Sequence, residues 1–547
     1  MNSLHGWLRT AATRRPDAPA FVAEDPDGSV AVTWDQLARR VAAMRGGLRA
    51  RRTAAGERIA LSLPGGPDLV AALLAVAAEG CVAVVLPTPR GRRDGAYADR
   101  LAGVWADCAP SALIETPAET LRRTAIEGIE GLAAVASVDP AELAAAEPVH
   151  SPAATRDADA PVILQYTSGS TKRPRGVVLS TAMLEANCRQ ARAVYGDHED
   201  DVAVSWVPLY HDMGLITAVI RPLFSGHPSV LLRPGDFIAE PIRWLRAVHT
   251  HRATLSSAPD FAYAHCVRRI APADLDGLDL SRWRIARSAG EVVRPETMDA
   301  FTAFAAPAGF RPEAFCPSYG MAEATLTVTA STPGTRPRRL RVSPATLRPG
   351  EVVAPDPGGR ELLSSGPPVP DTSVTVAGAG GREGVVGELE VHGPQVMRGY
   401  LHGAKREPGR ALPTGDLGFL HGGEVFVLGR ADDAMVLNGV NLFQHDLVAA
   451  CASVAGLRPG RAAAFVDDRV ADRQEVVVVA ETVPGLTVPG VQDRAALTAS
   501  VRARVLERLG VIVAHVETVD AGSLPVTTSG KVQVAAIRAA WLERRSG

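Results

Sequence analysis

The chain has 547 residues, of which 46% are hydrophobic and 22% are charged, and its formal net charge at pH 7 is −2. This length exceeds what one hydrophobic core usually fills, so we expect two or more domains. The near-neutral charge gives no reason to expect binding to nucleic acid. Six cysteines without CxxC spacing favour a cytoplasmic location and argue against structural zinc.

The most apolar stretch, residues 69–86, has the composition of a membrane span. Glu79 and Gly80 interrupt it, which predicts a helix over 68–79 followed by a buried strand over 81–86. We therefore do not expect an integral membrane protein. Alternating helical and short Val/Leu-rich patterns over roughly the first 320 residues predict a layered α/β architecture.

A loop rich in hydroxyls and glycine, residues 165–178, lies between two apolar segments that read as strands. Its glycines let backbone amides approach an anion, its hydroxyls donate hydrogen bonds, and Lys172 and Arg175 add positive charge. It is not a Walker A loop, because the GxxxxGK[ST] order is absent and an apolar run, 177–179, follows it. Such a cluster alone is more often a polar turn. The motifs that follow favour phosphate binding.

Further polar motifs follow in chain order, at 205–215, 288–291, 317–325, 414–418, 429–433 and 524–531. This ordered series resembles the adenylate-forming superfamily of acyl-CoA synthetases, peptide adenylation domains and luciferases, over nearly the whole chain. Within it the chain is most similar to fatty acyl-AMP ligases. That similarity rests on Lys172 in the loop, on the Tyr-His-Asp-Met-Gly motif at 210–214 and on the motif at 319–325.

The resemblance implies an α/β fold with a large N-terminal domain and a small mobile α+β C-terminal domain. The large domain, 1–429, would contain layered α/β subdomains and a β-rich subdomain, and a hinge at 430–433 would join it to the small domain, 434–547. Residues 341–366 resemble the insertion that distinguishes these ligases from relatives that use CoA. In the family that insertion restrains the small domain and disfavours CoA as the acceptor.

Local patterns add four elements to the C-terminal half. Pro, Gly, Arg and Val dominate between residues 331 and 393, where we predict loops and strands, including strands over 372–377 and 386–392. A strand over 475–479 and a helix over 493–509 are predicted for the last region.

The resemblance also implies the reaction and its residues. ATP and Mg²⁺ would be required, with Lys531 as the catalytic lysine, His211 near the acyl carboxylate, Glu323 at the metal and Asp432 as the hinge. His211 would not be a general base, because a carboxylate nucleophile has no proton to lose at pH 7. The implied nucleotide-binding residues are Thr167, Ser168, Gly169, Ser170, Thr171, Lys172, Ala289, Gly290, Glu291, Ser318, Tyr319, Gly320, Met321, Ala322, Asp416 and Arg430.

Two segments depart from the family pattern, namely 438–448 and the surroundings of Lys531, where Val526 and Val534 replace common arginines.

We expect a ligase that adenylates a carboxylic acid, with a fatty acid as the leading substrate, and loads a phosphopantetheinylated acyl carrier protein. The alternatives are an enzyme of secondary metabolism for a short, unsaturated or aryl acid or for an oxyanion such as nitrite, an acyl-CoA synthetase, and a catalytically silent scaffold.

Overall fold

The computed structural model describes residues 3–25, 28–88, 95–124, 135–154, 156–166, 174–407, 409–437, 440–467, 475–483, 494–509, 511–526 and 532–545. Its strands are β1 (Pro19–Asp25), β2 (Gly28–Thr33), β3 (Arg58–Ser62), β4 (Val82–Val85), β5 (Ala112–Glu115), β6 (Ala136–Val138), β7 (Pro161–Tyr166), β8 (Gly176–Ser180), β9 (Ala203–Ser205), β10 (Ser229–Leu232), β11 (Leu255–Ala258), β12 (Ile285–Ser288), β13 (Phe315–Gly320), β14 (Thr327–Ala330), β15 (Arg339–Val342), β16 (Arg360–Leu363), β17 (Ser373–Val376), β18 (Gly387–His392), β19 (Leu412–His421), β20 (Glu424–Arg430), β21 (Ala434–Leu437), β22 (Val440–Phe443), β23 (Leu457–Asp467), β24 (Glu475–Thr482) and β25 (Val513–Val519).

The α-helices are α1 (Leu4–Arg14), α2 (Trp34–Ala50), α3 (Pro67–Ala78), α4 (Gly95–Cys108), α5 (Pro117–Thr124), α6 (Pro140–Ala144), α7 (Thr181–Tyr195), α8 (Asp212–Leu215), α9 (Arg221–Ser225), α10 (Pro234–Ala239), α11 (Ile242–Thr250), α12 (Asp260–Arg269), α13 (Pro295–Ala305), α14 (Gln444–Ala452), α15 (Arg494–Leu509) and α16 (Val534–Arg544). The fold is α/β, with a large N-terminal domain of mixed sheets and a small C-terminal α+β domain. Among the described helices, none is both long and apolar enough to cross a membrane.

The predicted helix and strand of the most apolar stretch are confirmed as α3 and β4. Pro67 occupies the first turn of α3, where its missing N–H costs nothing. Ten of the twelve residues of α3 are buried, since the helix packs between other elements rather than on the surface. The run is therefore apolar because it is internal to the protein.

Two sheets form the large domain. Their strand orders are β6-β5-β3-β4-β7-β8 and β14-β13-β12-β11-β9-β10-β1-β2, and most neighbouring strands in both are parallel. One apolar cluster joins them, with Ile59 and Ile163 from the first sheet and Val204 and Val230 from the second. The core of the large domain thus lies between the sheets.

The carboxyl ends of β9, β12 and β13 lie along one edge of the second sheet, because these strands are parallel within the order β13-β12-β11-β9. The segments with His211, with 288–291 and with Tyr319 follow or end these three strands. Ligands bind at this edge in open α/β sheets. The topology therefore gathers three separate sequence motifs at one place.

The β-rich part of the large domain contains the antiparallel sheet β17-β18-β19-β20 and the pair β15-β16. The predicted strands over 372–377 and 386–392 are confirmed as β17 and β18. Phe419 and Phe426 stack between β19 and β20 with ring centroids 5.0 Å apart. Their apolar cluster also includes Phe443, which follows the connection to the small domain.

The small domain has its own core on both faces of the sheet β23-β24-β25. One face carries α14 and α15, and the other carries α16 through Ile537 and Trp541. The predicted strand over 475–479 and helix over 493–509 are confirmed as β24 and α15. Between the domains, β20 extends to Arg430, and a short 3₁₀ turn, Ala431–Asp433, makes the connection.

Candidate active site

Asp416, Tyr319 and Arg430 form a compact cluster at the end of β13. The Tyr319 hydroxyl donates to Asp416 Oδ2 at 2.6 Å, and Arg430 Nη1 donates to Oδ1 at 3.2 Å. Burial raises the pKa of Asp416 above its usual range, although the Tyr319 hydrogen bond and the Arg430 charge oppose that rise. Tyr319, 97 positions before Asp416 in sequence, is therefore brought together with Asp416 and Arg430 around one carboxylate.

The turn that carries Asp416 is fixed by its neighbours. The Asp416 amide donates to Thr414 Oγ1 at 3.0 Å, and that hydroxyl donates to the carbonyl of Leu389 at 2.7 Å. Gly415 has a φ of +72°, and a Cβ there would lie 2.8 Å from Arg430 Nη2. Only glycine allows both this backbone conformation and this approach, so the turn presents Asp416 in one orientation.

Glu323 lies in a 3₁₀ turn, Ala322–Ala324, just beyond β13. Its Oε1 accepts a 2.8 Å hydrogen bond from the Tyr400 hydroxyl, and the guanidinium of Arg175 lies over the Tyr400 ring at 4.1 Å. Because Arg175 is part of the predicted phosphate loop, Tyr400 links that loop to Glu323. Sequence reasoning missed Tyr400, and the only signal for it was an aromatic residue that follows glycine in a loop.

A strained turn holds the Glu323 segment in place. Thr325 has a φ of +63° and a ψ of −57°, and the Leu326 amide donates to the Ala324 carbonyl at 2.6 Å, which makes a γ-turn. A β-branched residue rarely adopts this conformation. The buried Thr325 hydroxyl donates to the Gln395 carbonyl at 2.8 Å, and this bond helps to offset the strain.

His211 caps the short helix α8, which follows β9 after a six-residue connection. Its Nδ1 lies 2.6 Å from Asp212 Oδ1. Burial alone would raise the pKa of Asp212, but the charge and hydrogen bond of His211 outweigh it and hold that pKa below its usual value. Gln165 Nε2 donates to the Tyr210 carbonyl at 2.7 Å and so ties β7 to this segment.

Residues 288–291 connect the histidine segment to the Tyr319 side. Ser288 and Ala289 are buried, whereas Gly290 is exposed with a φ of +84°, and a Cβ on Gly290 would lie 2.9 Å from Met213 Cε. Glu291 Oε1 accepts from the Phe261 amide at 2.6 Å. The segment therefore lies against the His211 turn and is anchored to α12.

The remaining predicted site residues are placed as follows. Ser318 is buried and its hydroxyl lies 2.7 Å from the Tyr195 hydroxyl, and Gly320, Met321 and Ala322 lead from β13 into the Glu323 turn. Asp432 is exposed within the connecting turn. The phosphate loop residues Thr167, Ser168, Gly169, Ser170, Thr171 and Lys172, and the catalytic candidate Lys531, lie outside the described residues.

Glu323 is the described carboxylate that the sequence associates with Mg²⁺. No group of three or more His, Cys, Asp and Glu side chains that could hold a metal occurs among the residues the structure describes. Mg²⁺ commonly keeps several waters and binds through one or two carboxylates together with substrate phosphates. Glu323, beside the predicted phosphate loop, fits that mode of binding.

The segment 341–366 contacts the start of the small domain. The sequence did not indicate which residues make this contact. Arg360 makes a bidentate ion pair with Asp446, with both N···O distances at 2.8 Å. Val342 and Leu362 belong to the apolar cluster that contains Phe443. A polar and an apolar contact thus join this segment to residues beyond the connecting turn.

His445, next to Asp446, supplies a pH-dependent element at the same contact. Burial lowers the pKa of His445 from 6.5 to about 4, and Arg294 and Arg360 lower it further whereas Asp446 opposes them. The unfolded chain therefore binds a proton below pH 6.5 that the folded chain binds only near pH 4. Stability from neutral His445 is present above pH 6.5 and is lost as the pH falls toward 4.

We expect His445→Gln to reduce the acid sensitivity of the fold. The drop in free energy of unfolding between pH 7 and 4.5 should be smaller than in the wild type by roughly 2–3 kcal/mol. Urea unfolding at a series of pH values measures it. His392→Gln, at the exposed end of β18, is the control and should leave the pH profile unchanged; equal profiles for all three proteins would contradict the prediction.

Comparison with known proteins agrees with this fold. The AMP-binding enzyme family matches residues 8–401. The long-chain-fatty-acid–AMP ligase FadD26 of Mycobacterium marinum is 32% identical, covering 99% of this chain and 97% of that protein. The medium-chain-fatty-acid–acyl-carrier-protein ligase JamA of Moorena producens is 32% identical, covering 89% of this chain and 86% of JamA.

A solved structure from studies of fatty acyl-adenylate ligases of E. coli and L. pneumophila superimposes with a TM-score of 0.89 at 28% identity, covering 100% of this chain and 98% of that one. Fold and matches together define an adenylate-forming enzyme, a ligase that forms AMP. The chain belongs to the fatty acyl-AMP ligase family of the AMP-binding enzymes.

Proposed function

We propose that the protein activates a carboxylic acid of the fatty acid class with ATP and transfers the acyl group to the phosphopantetheine thiol of an acyl carrier protein. The observation that carries the proposal is the convergence of His211, Gly290, Tyr319 and Asp416 at one edge of a parallel sheet. The name of JamA, a ligase that acts on an acyl carrier protein, supports the choice of acceptor.

The first half-reaction joins a carboxylate oxygen to the α-phosphorus of ATP and releases pyrophosphate. Asp416 and Arg430 would bind the ribose, the Tyr319 ring and residues 288–291 would enclose the adenine, and the loop 167–172 would hold phosphate oxygens. Glu323 would bind Mg²⁺, which when bound neutralises phosphate charge. Alignment of the two reactants and compensation of the phosphate charge would provide the rate enhancement, since the protein makes no covalent bond to the substrates.

His211 would orient the acyl carboxylate without taking a proton. Its ring is held in place by the 2.6 Å contact between Nδ1 and Asp212 Oδ1. Lys531, on the small domain, would bridge the carboxylate and the α-phosphate. The small domain must therefore close on the sheet edge for the first step and rotate about Asp432 for the second.

The proposal is tested by pyrophosphate release with a panel of acids, followed by measurement of acyl-AMP, acyl-CoA and acyl-carrier products side by side. We expect acyl-AMP and acyl-carrier product but little acyl-CoA. Efficient formation of the CoA thioester would favour the acyl-CoA synthetase alternative and leave adenylation standing. Release of pyrophosphate with nitrite but with no carboxylic acid would favour the oxyanion alternative, and no release at all would favour the silent scaffold.

The segment 341–366 offers a sharper test of acceptor choice. We propose that the Arg360–Asp446 ion pair restrains the rotation of the small domain, because it joins this segment to residues that move with that domain. Its two side chains are 25% and 12% exposed, so a bidentate pair of this kind is worth about 1–2 kcal/mol.

Arg360→Ala should therefore raise the rate of acyl-CoA formation about tenfold by populating the transfer state, with adenylation changed little. Arg341→Ala is the matched control, because Arg341 pairs with Glu361 at 3.3 Å inside the same segment. Equal CoA rates for both arginine variants would contradict the restraint.

Asp432→Pro should have the opposite effect and slow acyl transfer more than adenylation, since proline fixes φ at the hinge.

A further inference from the structure

Arg287 is a fully buried arginine in the middle of the large domain. It lies on β12 with 0% exposure, opposite Ser257 of β11 and Cys316 of β13. Its neighbours on the strand, Ile285 and Ala286, are apolar core residues. A charged side chain at such a position requires a partner.

The guanidinium of Arg287 has none among the described residues. Its Nε, Nη1 and Nη2 all lack a hydrogen-bond acceptor there. The other deeply buried arginines are paired, since Arg221 binds Asp197 in a bidentate manner at 2.6–2.9 Å, and Arg45 binds Glu79 at 2.7 Å and backbone carbonyls. Arg287 therefore differs from the structural arginines of this protein, and its charge remains available to a ligand.

The side chain faces the layer formed by α7, α8 and α9. Alternation along β12 places Arg287 on the same face as Ile285, which packs with Tyr195 of α7. Burial lowers the pKa of Arg287, and the charge of Arg221 lowers it further, whereas the Asp212 carboxylate opposes them. The guanidinium is thus within electrostatic reach of the His211–Asp212 pair.

The same face of the sheet carries hydroxyl groups among its apolar residues. A small internal cavity there is lined by Ser205, Ser257, Thr217 and Arg221 and by apolar residues that include Leu255 and Ile285, and Ser257 is the residue paired with Arg287. A π-helical segment, Ile216–Ile220, directly follows α8, and such segments are frequent at functional sites. Ser257 therefore lies both in the wall of this cavity and beside Arg287 on the neighbouring strand.

Arg287 is too deep to act on the carboxylate that is adenylated. It lies one residue before the end of β12, but its side chain is fully buried, whereas Gly290, three residues further on, is exposed at the sheet edge. On this basis, and resting on the proposed ligase activity, we propose that Arg287 binds a second anionic group at the distal end of the acid. The substrate class is then a dicarboxylic acid, activated at one carboxylate and held by the other.

The test is ATP–pyrophosphate exchange with matched pairs of acids, in which each α,ω-dicarboxylic acid from four to twelve carbons is compared with the monocarboxylic acid of the same length. The wild type should prefer the dicarboxylic member of its best pair at least tenfold, because an unpaired guanidinium rejects a methyl terminus. Arg287→Met should reverse this preference by losing the dicarboxylic acid and gaining the monocarboxylic one. Arg287→Lys should retain part of it.

Thermal unfolding separates recognition from a structural role. Arg287→Met should leave the melting temperature of the free enzyme unchanged or raise it, because an uncompensated buried charge is removed. The preferred dicarboxylic acid should raise the melting temperature of the wild type but not that of the variant. Arg284→Met is the matched control, since Arg284 pairs with Asp201 at 2.6 Å, and it should lower the melting temperature while the acid preference stays unchanged.

Two outcomes would overturn the assignment of Arg287. One is a wild-type preference for monocarboxylic acids that Arg287→Met leaves unchanged, and the other is a marked loss of thermal stability in Arg287→Met with no change in acid preference. Both leave the ligase proposal intact, because exchange still occurs. Absence of exchange with every acid would instead remove the proposed function on which this inference rests.

Discussion

Replacing Lys531 with alanine is expected to abolish adenylate formation while leaving the fold intact. The lysine would meet the reacting carboxylate and the α-phosphate only when the small domain closes, so its charge acts mainly in the transition state. Losing it should cost at least ~3 kcal/mol of transition-state stabilisation, or about a hundredfold in rate. Pyrophosphate release and acyl-AMP formation measure the effect, and unchanged release would remove Lys531 from the site.

The chain contains few lysines, so a variant of another lysine is an informative control for this experiment. Lys172, Lys405 and Lys531 are its only lysines among 58 basic Lys and Arg residues. Lys405 is exposed, and Lys405→Ala is therefore the matched control that should keep full activity. Lys531→Arg should also be impaired, because a guanidinium fork is longer and geometrically different from a compact ammonium.

Local patterns were enough to predict much of the fold. The interruption of an apolar run at Glu79 and Gly80 separated α3 from β4, and the periodicity of the last region indicated β24 and α15. These features depend on residues close in sequence. The layered α/β class followed from the alternation of such elements along the chain.

The partners in the site could not be predicted in the same way. Tyr400 and Glu323 are 77 positions apart, and Arg360 and Asp446 are 86 apart, so each contact depends on the final packing of whole subdomains. The motifs predicted which residues to examine, but not that the Asp416 carboxylate would be shared by a tyrosine and an arginine. Arg287 carried even less signal, because one arginine in a strand is ordinarily exposed.

Asp416→Asn is expected to weaken ATP binding strongly without destabilising the free enzyme. The two ribose hydroxyls would lose a charged acceptor, and bonds to charged groups are worth about 1.5–3 kcal/mol each. We expect the dissociation constant for ATP to rise about fiftyfold or more. Nucleotide titration measures this, and Tyr319→Phe, which keeps the carboxylate but removes its 2.6 Å donor, should give a much smaller increase.

The pH dependence of Asp416 distinguishes binding from folding. Burial raises the pKa of this carboxyl in the folded protein, so its contribution to stability is present at low pH and is lost as the pH rises through the folded value. The charged form, which would favour ribose binding, is lost in the opposite direction, as the pH falls. As the pH is lowered, the wild-type affinity for ATP should therefore begin to decline at a higher pH than it would with an ordinary aspartate. This decline should be absent in Asp416→Asn. Wild-type affinity in a folded Asp416→Asn protein would place the ribose elsewhere.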